Sequence, residues 1–346
     1  MLRLPAFQFH APETAAEAAR ILAEDPANTR VVAGGTDLWP NMKRRHQGAK
    51  TIVSLRSIPE MTGICVDDEG GVIIGATTTL DQITRNETVQ EKYPTLVKAI
   101  ASISSPVLRN TGTIGGNLCL DTRCTYYNQN EEWRRSISYC MKAEGEVCWV
   151  APSSPRCWAV SSGDSVPMLC ALGAEITLHS TEGERIVPLA ELFNDDGMHY
   201  LTKRPDEILT RVRIPAPSGE RTGWWKLRRR GSIDYGVLSV AVAGWCSGET
   251  TDRIEIWLGS VGSTPVRCSD SIDHLIGKPL TAETIAEAAA LARKGDGANP
   301  LGNTDFAPQW RGKMIEKYVD AVLREVAGLP VERLVPHHGQ SQFFRL

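Results

Sequence analysis

The sequence predicts an α+β fold: two mixed strand–helix subdomains, then a C-terminal domain of antiparallel strands and helices. Three observations carry this. Strand-like and helix-like patterns alternate through the first half, where two apolar runs end in glycine turns, "AGGTDL" (33–38) and "TIGGN" (113–117). A Pro/Gly/Ser stretch at about 215–222 separates that half from the rest. Beyond it, strand patterns come first and helical patterns after, the order of an α+β unit.

In chain order, "TAAEAARILAED" (14–25) has helical apolar spacing behind a capping Thr14. "TRVV" is a short strand running into the first glycine turn, and "TIVSLRSI" is a second strand. Together they make a β-α-β unit ending near Ser57, so 1–57 forms the first subdomain. "GVIIGATTTLDQI" reads as strand, turn and helix start, and "PTLVKAIASISSPVLRN" as one helix that stops before the second glycine turn. "PMLCALGAEITLHSTEGERIVPLAEL" resumes the strand pattern with "TEGE" as a hairpin turn, and "DEILTRVRIP" is the last strand of a second subdomain, 58–216. "WWKLRRRGSIDYGVLSVAVAGWC" and "RIEIWLGSVGSTPVRC" are antiparallel strands of a third unit, 222–325. "TAETIAEAAALARKG" and "WRGKMIEKYVDAVLREVAGL" are its capped helices, and 326–346 is a loose or docking tail. The chain shows no internal repeat and no low-complexity stretch.

Its 346 residues suffice for two or three domains with buried cores. A net charge of −3 removes any global attraction to nucleic acid or anionic membranes. The basic run "KRRHQGAK" (43–50) is local and reads as a solvated loop, with a docking patch for an acidic partner as the alternative. The start of the chain lacks the apolar stretch and cleavage site of a signal peptide, and "YGVLSVAVAGW" is too short to span a bilayer. The expected compartment is the reducing cytoplasm, where clustered cysteines are metal ligands rather than disulfides.

Glycines let backbone N–H groups close on a phosphate without interference from Cβ, and consecutive N–H groups make an anion nest. Each glycine turn alone reads more readily as an ordinary tight turn. Two in one region make a pyrophosphate site an equal alternative. Neither fits G-x-G-x-x-G or the P-loop, which disfavours a Rossmann site or an NTPase.

Six ordered segments, "RVVAGGTDLWPNMK", "GATTTL", "LRNTGTIGGNLC", "SGDSVPMLCALGAEI", "RPDEILTRVRIP" and "LGSVGSTPVR", resemble the FAD-binding subunits of the molybdenum hydroxylases, the xanthine and carbon monoxide dehydrogenase flavoprotein family. The resemblance covers roughly residues 5–323 and implies a two-subdomain FAD-binding fold of the PCMH type with an α+β domain behind it. By similarity, Val32, Ala33, Gly34, Gly35, Thr36, Asp37 and Leu38, with Ile114, Gly115, Gly116 and Asn117, would wrap the pyrophosphate of FAD. Thr77 and Thr111 would add polar contacts. Asp164 matches the acidic residue at the flavin or its ribityl chain, and Leu209 and Lys226 match positions near the ring. Asp121 is a further candidate, where the chain begins to leave the family pattern. Without the resemblance, Asp164 reads as a turn or helix cap, Lys226 as a solvated strand charge, and the threonines as turn hydroxyls.

That departure is an insertion, 122–160, of about forty residues carrying four of the nine cysteines: Cys124, Cys140, Cys148 and Cys157, spaced C-x15-C-x7-C-x8-C. Four thiolates can hold a zinc ion or an iron–sulfur cluster. Zinc sites usually show paired C-x2–4-C knuckles, which are absent, while the wide spacings suit a loop around a larger object but do not match the dense ferredoxin run either. The insertion resembles that of the flavin subunit of 4-hydroxybenzoyl-CoA reductases, which carries an extra [4Fe-4S] cluster. The resemblance implies that these four cysteines are the ligands, with Cys119 as a rival. Cys65, Cys170, Cys246 and Cys268 are expected to fill cores.

Such a chain would be one subunit of a larger oxidoreductase, expected as a dimer of heterotrimers. One partner subunit would hold two [2Fe-2S] clusters and another the molybdenum cofactor. Electrons from ferredoxin would pass through the [4Fe-4S] cluster and FAD towards molybdenum, where 4-hydroxybenzoyl-CoA is dehydroxylated to benzoyl-CoA. No residue of this chain is expected to touch that substrate. The rivals are the FAD subunit of another molybdenum hydroxylase, oxidising an aromatic or purine-like substrate, and a flavin-free zinc-loop protein acting in assembly.

Overall fold

Three sheets divide the chain. The computed structural model describes residues 3–295 and 298–331. In the first sheet, Thr51–Ser54 lies between Gln8–His10 and Thr29–Val32 and runs parallel to both. The helix Ala15–Glu24 starts where the Thr14 hydroxyl accepts from the Glu17 N–H, and it buries Ala15, Ala18, Ala19, Ile21 and Leu22 on one face. Two elements of this unit escaped the sequence reading. Strand Gln8–His10 is exposed at all three residues, so it shows no alternation. Helix Leu38–Lys43 contains Pro40, a helix breaker by composition, but proline sits in the first turn, where its missing N–H has no partner to lose.

The second sheet is antiparallel throughout, in the order Ile64–Val66, Val72–Gly75, Ile208–Ile214, Glu175–Ser180, Gly183–Pro188. The single helix expected over 94–110 is broken. Pro94–Ala101 ends at Ser102, Ser104 takes a positive φ of 51°, and a one-turn helix Pro106–Arg109 follows. Pro106 holds Ser105 in extended backbone, which no helix can pass through. "TIGGN" is also not an open turn: Ile114–Leu118 is helical, with the Thr113 hydroxyl accepting from the Gly116 N–H.

The insertion is irregular apart from the helix Glu131–Ser136. Its base is closed by an antiparallel bridge, in which Arg123 and Val160 exchange N–H···O bonds of 2.8 and 2.6 Å.

The third sheet is antiparallel in the order Val266–Arg267, Thr250–Gly259, Leu238–Ser247, Arg221–Leu227. Alternation along its strands serves two cores. Leu238, Val240, Val242, Ile254, Ile256 and Leu258 pack with the helices Ser269–Leu275, Ala282–Lys294 and Pro308–Ala327. Ala241, Ala243, Trp224 and Trp257 point the other way, into the core of the first two subdomains. The last helix stops at Gly328, whose left-handed φ of 73° suits glycine.

The α+β class is as the sequence predicts. Of the cysteines expected in cores, Cys170 and Cys268 are buried but Cys65 and Cys246 are exposed. Cys65 lies on the outward side of an edge strand, and Cys246 follows a bulge that turns the end of its strand to solvent. Most of the expected tail, 332–346, lies outside the described residues. No helix among the described residues is long and apolar enough to cross a membrane.

Candidate cofactor cavity and cysteine chamber

A cavity of about 660 Å³ opens between the first two subdomains. Its wall includes Val32, Ala33, Gly34, Gly35, Thr36, Asp37, Leu38, Thr77, Gly115, Gly116, Asn117, Asp121, Asp164 and Leu209. Of the residues singled out in the sequence, Thr111, Ile114 and Lys226 are not on that wall. Ile114 is buried in the core. Thr111 approaches the first glycine loop through its carbonyl. Lys226 stands behind Asp164.

The first glycine loop is built for close approach. A Cβ on Gly34 would lie 2.0 Å from the Thr111 carbonyl oxygen, so only glycine lets the two loops meet. Gly35 has φ +70°, and a Cβ there would strike the Trp39 ring. Among the described residues, the N–H groups of Gly34, Gly35, Thr36 and Asp37 donate to no protein acceptor. They are left for a ligand, in the manner of an anion nest. The loop is anchored through Asp37, which accepts from Asn41 Nδ2 at 2.9 Å and forms an ion pair with Arg123 at the base of the insertion.

The second glycine segment works differently. Gly115 N–H donates to the Ala76 carbonyl at 2.9 Å, Gly116 N–H to Thr113 Oγ1 at 3.1 Å, and Asn117 N–H to the Thr113 carbonyl at 3.0 Å. Its donors are spent inside the protein. A Cβ on Gly115 would lie 2.8 Å from Ala76, so this glycine seats the segment against the second sheet. Thr77 is likewise occupied: its hydroxyl donates to the Met61 carbonyl at 2.7 Å.

Asp164 is 6% exposed. Its Oδ2 accepts from Lys226 Nζ at 2.8 Å, and Lys226 also donates to the Asp234 carbonyl at 2.9 Å. Burial pushes the Asp164 carboxyl up, against the pull of the Lys226 ammonium. Its Oδ1 and the nearby Ser162 Oγ are buried without a partner in the protein. Buried polar atoms are nearly always paired. Two orphans on one cavity wall fit a ligand that donates hydrogen bonds there, as the hydroxyls of a flavin side chain would.

The four insertion cysteines come together in a second, smaller chamber. Cys124, Cys140, Cys148 and Cys157 are 7, 6, 5 and 4% exposed and share its wall with Tyr126, Tyr127, Lys142 and Trp149. Cys119 lies on the wall of the larger cavity, away from this set. Burial pushes the Cys124 thiol up to about 11 and the Cys157 thiol up to about 12. Among the described residues, no three His, Cys, Asp or Glu side chains are grouped closely enough to hold a metal ion.

Several wall residues were not singled out in the sequence. Ser162 lies two residues before Asp164, and that proximity was its only signal. Tyr200, Tyr235 and Met198 line the larger cavity from loops with no recognisable pattern. Lys142 was hidden inside the insertion, because nothing in its neighbours marks a buried lysine.

Residues 5–217 match the family model described as the FAD binding domain in molybdopterin dehydrogenase, and residues 224–326 that of the CO dehydrogenase flavoprotein C-terminal domain. The carbon monoxide dehydrogenase medium chain of Hydrogenophaga pseudoflava is 28% identical over 321 residues, covering 92% of this chain and 97% of that one. The 6-hydroxypseudooxynicotine dehydrogenase complex subunit alpha of Paenarthrobacter nicotinovorans is 27% identical over 329 residues, covering 93% and 95%. The solved structure of the Cu,Mo-CO dehydrogenase in its cyanide-inactivated form superposes with a TM-score of 0.77 at 25% identity, over 94% of this chain and 99% of that one.

Proposed function

Because the chain belongs to the FAD-binding subunits of the molybdenum hydroxylase family, we propose that it is the electron-transfer subunit of a 4-hydroxybenzoyl-CoA reductase, with a [4Fe-4S] cluster beside its flavin. The observation that carries the finer reading is the gathering of four buried cysteines, scattered over 124–157, into one chamber next to the cofactor cavity. Bound FAD supplies electron exchange in single or paired steps, which lets it join one-electron carriers to a two-electron reaction.

The residues divide the work of holding it. The free N–H groups from Gly34 to Asp37 would take the pyrophosphate, and Asp164 Oδ1 and Ser162 Oγ would take donors of the flavin moiety. Lys226 holds Asp164 through Oδ2 and opposes the upward push of burial on its carboxyl. In the smaller chamber, Cys124, Cys140, Cys148 and Cys157 would ligate the cluster as thiolates, and metal ligation would offset the burial that pushes the Cys124 and Cys157 thiols up. Substrate chemistry would take place on a molybdenum-cofactor subunit, reached through a [2Fe-2S] subunit, with ferredoxin as the donor.

The test is the iron, acid-labile sulfide and flavin content of the complex purified without oxygen. About four irons and four sulfides per FAD in excess of the partner clusters are expected. FAD with no excess iron would overturn the cluster. It would leave the second reading: the FAD subunit of a molybdenum hydroxylase that oxidises its substrate and passes electrons outward. The relatives named as carbon monoxide and 6-hydroxypseudooxynicotine dehydrogenases favour that reading. Turnover with NAD but not with reduced ferredoxin would establish it.

A further inference from the structure

The two chambers share a buried ion pair. Lys142 Nζ donates to Asp121 Oδ1 at 2.7 Å, to Thr122 Oγ1 at 2.8 Å and to the Gly197 carbonyl at 2.6 Å. Its side chain is 6% exposed and that of Asp121 is 7% exposed. Lys142 stands on the wall of the cysteine chamber, and Asp121 on the wall of the cofactor cavity. The ammonium also faces the rings of Tyr127 and Tyr200, at 5.1 and 5.2 Å, one from each wall. A stretch of backbone makes the same crossing. Gly197 N–H donates to the Cys157 carbonyl at 2.9 Å, and a Cβ there would lie 2.8 Å from Cys157 Sγ. The next residue, Met198, lines the cofactor cavity.

Stability alone is a weak reason for this pair. Taking two charges out of water is costly, and a well-packed apolar pair often stabilises a fold as well. What an apolar pair cannot supply is a fixed charge at a chosen place. All three donors of the ammonium are satisfied, so that charge is held still.

We propose that Lys142 is a positioning residue that couples the two chambers electrostatically: its charge stabilises an added electron on the group held by the four cysteines, and Asp121 tempers that charge from the flavin side. The inference rests on the cluster reading above. The electron accounting is simple. One electron arrives from a low-potential one-electron donor and one leaves towards the flavin, with no bond formed or broken and no proton taken from Lys142. A reduced cluster carries one more negative charge, and a cation in a low-dielectric wall favours that state. Removing the cation should make reduction harder. Removing the carboxylate should leave the cation uncompensated and make reduction easier.

The experiment uses the whole complex, prepared without oxygen, as wild type, Lys142→Met, Lys142→Arg and Asp121→Asn. Iron, sulfide and flavin are counted first. The cluster signal is then followed by electron paramagnetic resonance during a dithionite titration. For Lys142→Met, the reduced-to-oxidised ratio at the wild-type midpoint is expected to fall about tenfold, a shift of about 59 mV for a one-electron couple. Asp121→Asn is expected to shift it the other way, and Lys142→Arg to stay near wild type. Loss of a merely structural contact would not move the potential in opposite directions. Unchanged midpoints in Lys142→Met and Asp121→Asn, with iron retained, would overturn the coupling and leave the cluster reading standing. If Lys142→Met fails to hold iron, Asp121→Asn decides: an upward shift supports the coupling, and an unchanged midpoint overturns it. Wild type without excess iron would remove both readings together.

Discussion

Lys226 Nζ lies 2.8 Å from Asp164 Oδ2 behind the wall of the cofactor cavity, while the other oxygen of the same carboxylate is buried without a partner in the protein. One oxygen belongs to the protein and the other is the one proposed to meet the flavin. On that proposal Lys226 is a support and Asp164 the contact. Lys226→Met strips a buried carboxylate of its counter-ion, a change that typically costs about 3–5 kcal/mol. Urea unfolding of the flavin-free subunit should show a loss of that order, and purified Lys226→Met should carry less flavin per chain. Unchanged flavin content would mean that Asp164 does not depend on Lys226 for its aim.

Gly34 makes a sharper test of the first glycine loop. An alanine methyl there meets the Thr111 carbonyl oxygen at 2.0 Å, and both partners are backbone. The loops must separate, at a cost of about 1–3 kcal/mol for overpacking. Gly34→Ala should lower both the melting temperature and the flavin occupancy. Gly48→Ala, in open space, is the control and should stay within about 0.5 kcal/mol of wild type. Equal behaviour of the two variants would show that the close approach of the loops is dispensable.

How much of this was legible depends on how local each signal is. The capped helix after Thr14 and the alternating strands of the third sheet announce themselves within ten residues, because their periodicity is their packing. The glycines of 34–35 and 115–116 were visible as a pair, but their different uses were not. Whether an N–H is free is settled by what packs beside it, and Ala76 lies some forty residues from Gly115 in the chain. The break at Ser102 is hidden because the apolar spacing continues across Pro106, and only the proline's hold on Ser105 marks it. Cys65 and Cys246 were assigned to cores on the character of their neighbours, but a strand's two faces differ at every residue. Lys142 had no local signal at all, and Ser162 only its place two residues before Asp164. Their roles come from the fold bringing 121, 142 and 197 to one point, and 162 to the cavity wall.

Acid should act on the second subdomain through Glu207. Its carboxylate takes Arg185 Nε at 2.6 Å and Nη2 at 2.9 Å, and also the Arg204 N–H at 2.6 Å. The hydrogen bond from Arg185 holds its carboxyl below the usual range, followed by an opposing effect of burial. A depressed carboxylate contributes stability that is fully present above its unfolded value of about 4.3 and is lost as pH falls through the folded value. Melting temperature should therefore drop on acidification below about pH 4.3, and Glu207→Gln should flatten that limb while costing stability at pH 7. An identical acid limb in the variant would assign the loss to other carboxylates.

If the four cysteines hold the proposed cluster, removing it should loosen the insertion before it disturbs the flavin domain. The insertion's own buried cluster holds only Cys124, Tyr127, Cys140, Cys157 and Ala159, and three of these five are proposed ligands. So small a core contributes little, since stability scales with apolar area taken from water. The base pinned by Arg123 and Val160 remains when the metal leaves, and so does the ion pair of Arg123 with Asp37. Between those anchors, 125–156 would lose its main organising contacts. Holo complex treated with an iron chelator under reducing, oxygen-free conditions should become sensitive to proteolysis at Arg134, Arg135 or Lys142, with flavin still bound to the remaining fold. Arg134 is the informative site, because it is 3% exposed and its guanidinium donates to the carbonyls of Arg44 and Arg45. Cleavage there requires the insertion to have come away from the first subdomain. Full protection after verified loss of iron would show that the insertion is ordered by its packing against 44–46 and not by the cluster, and the four cysteines would then need another reason to be buried together.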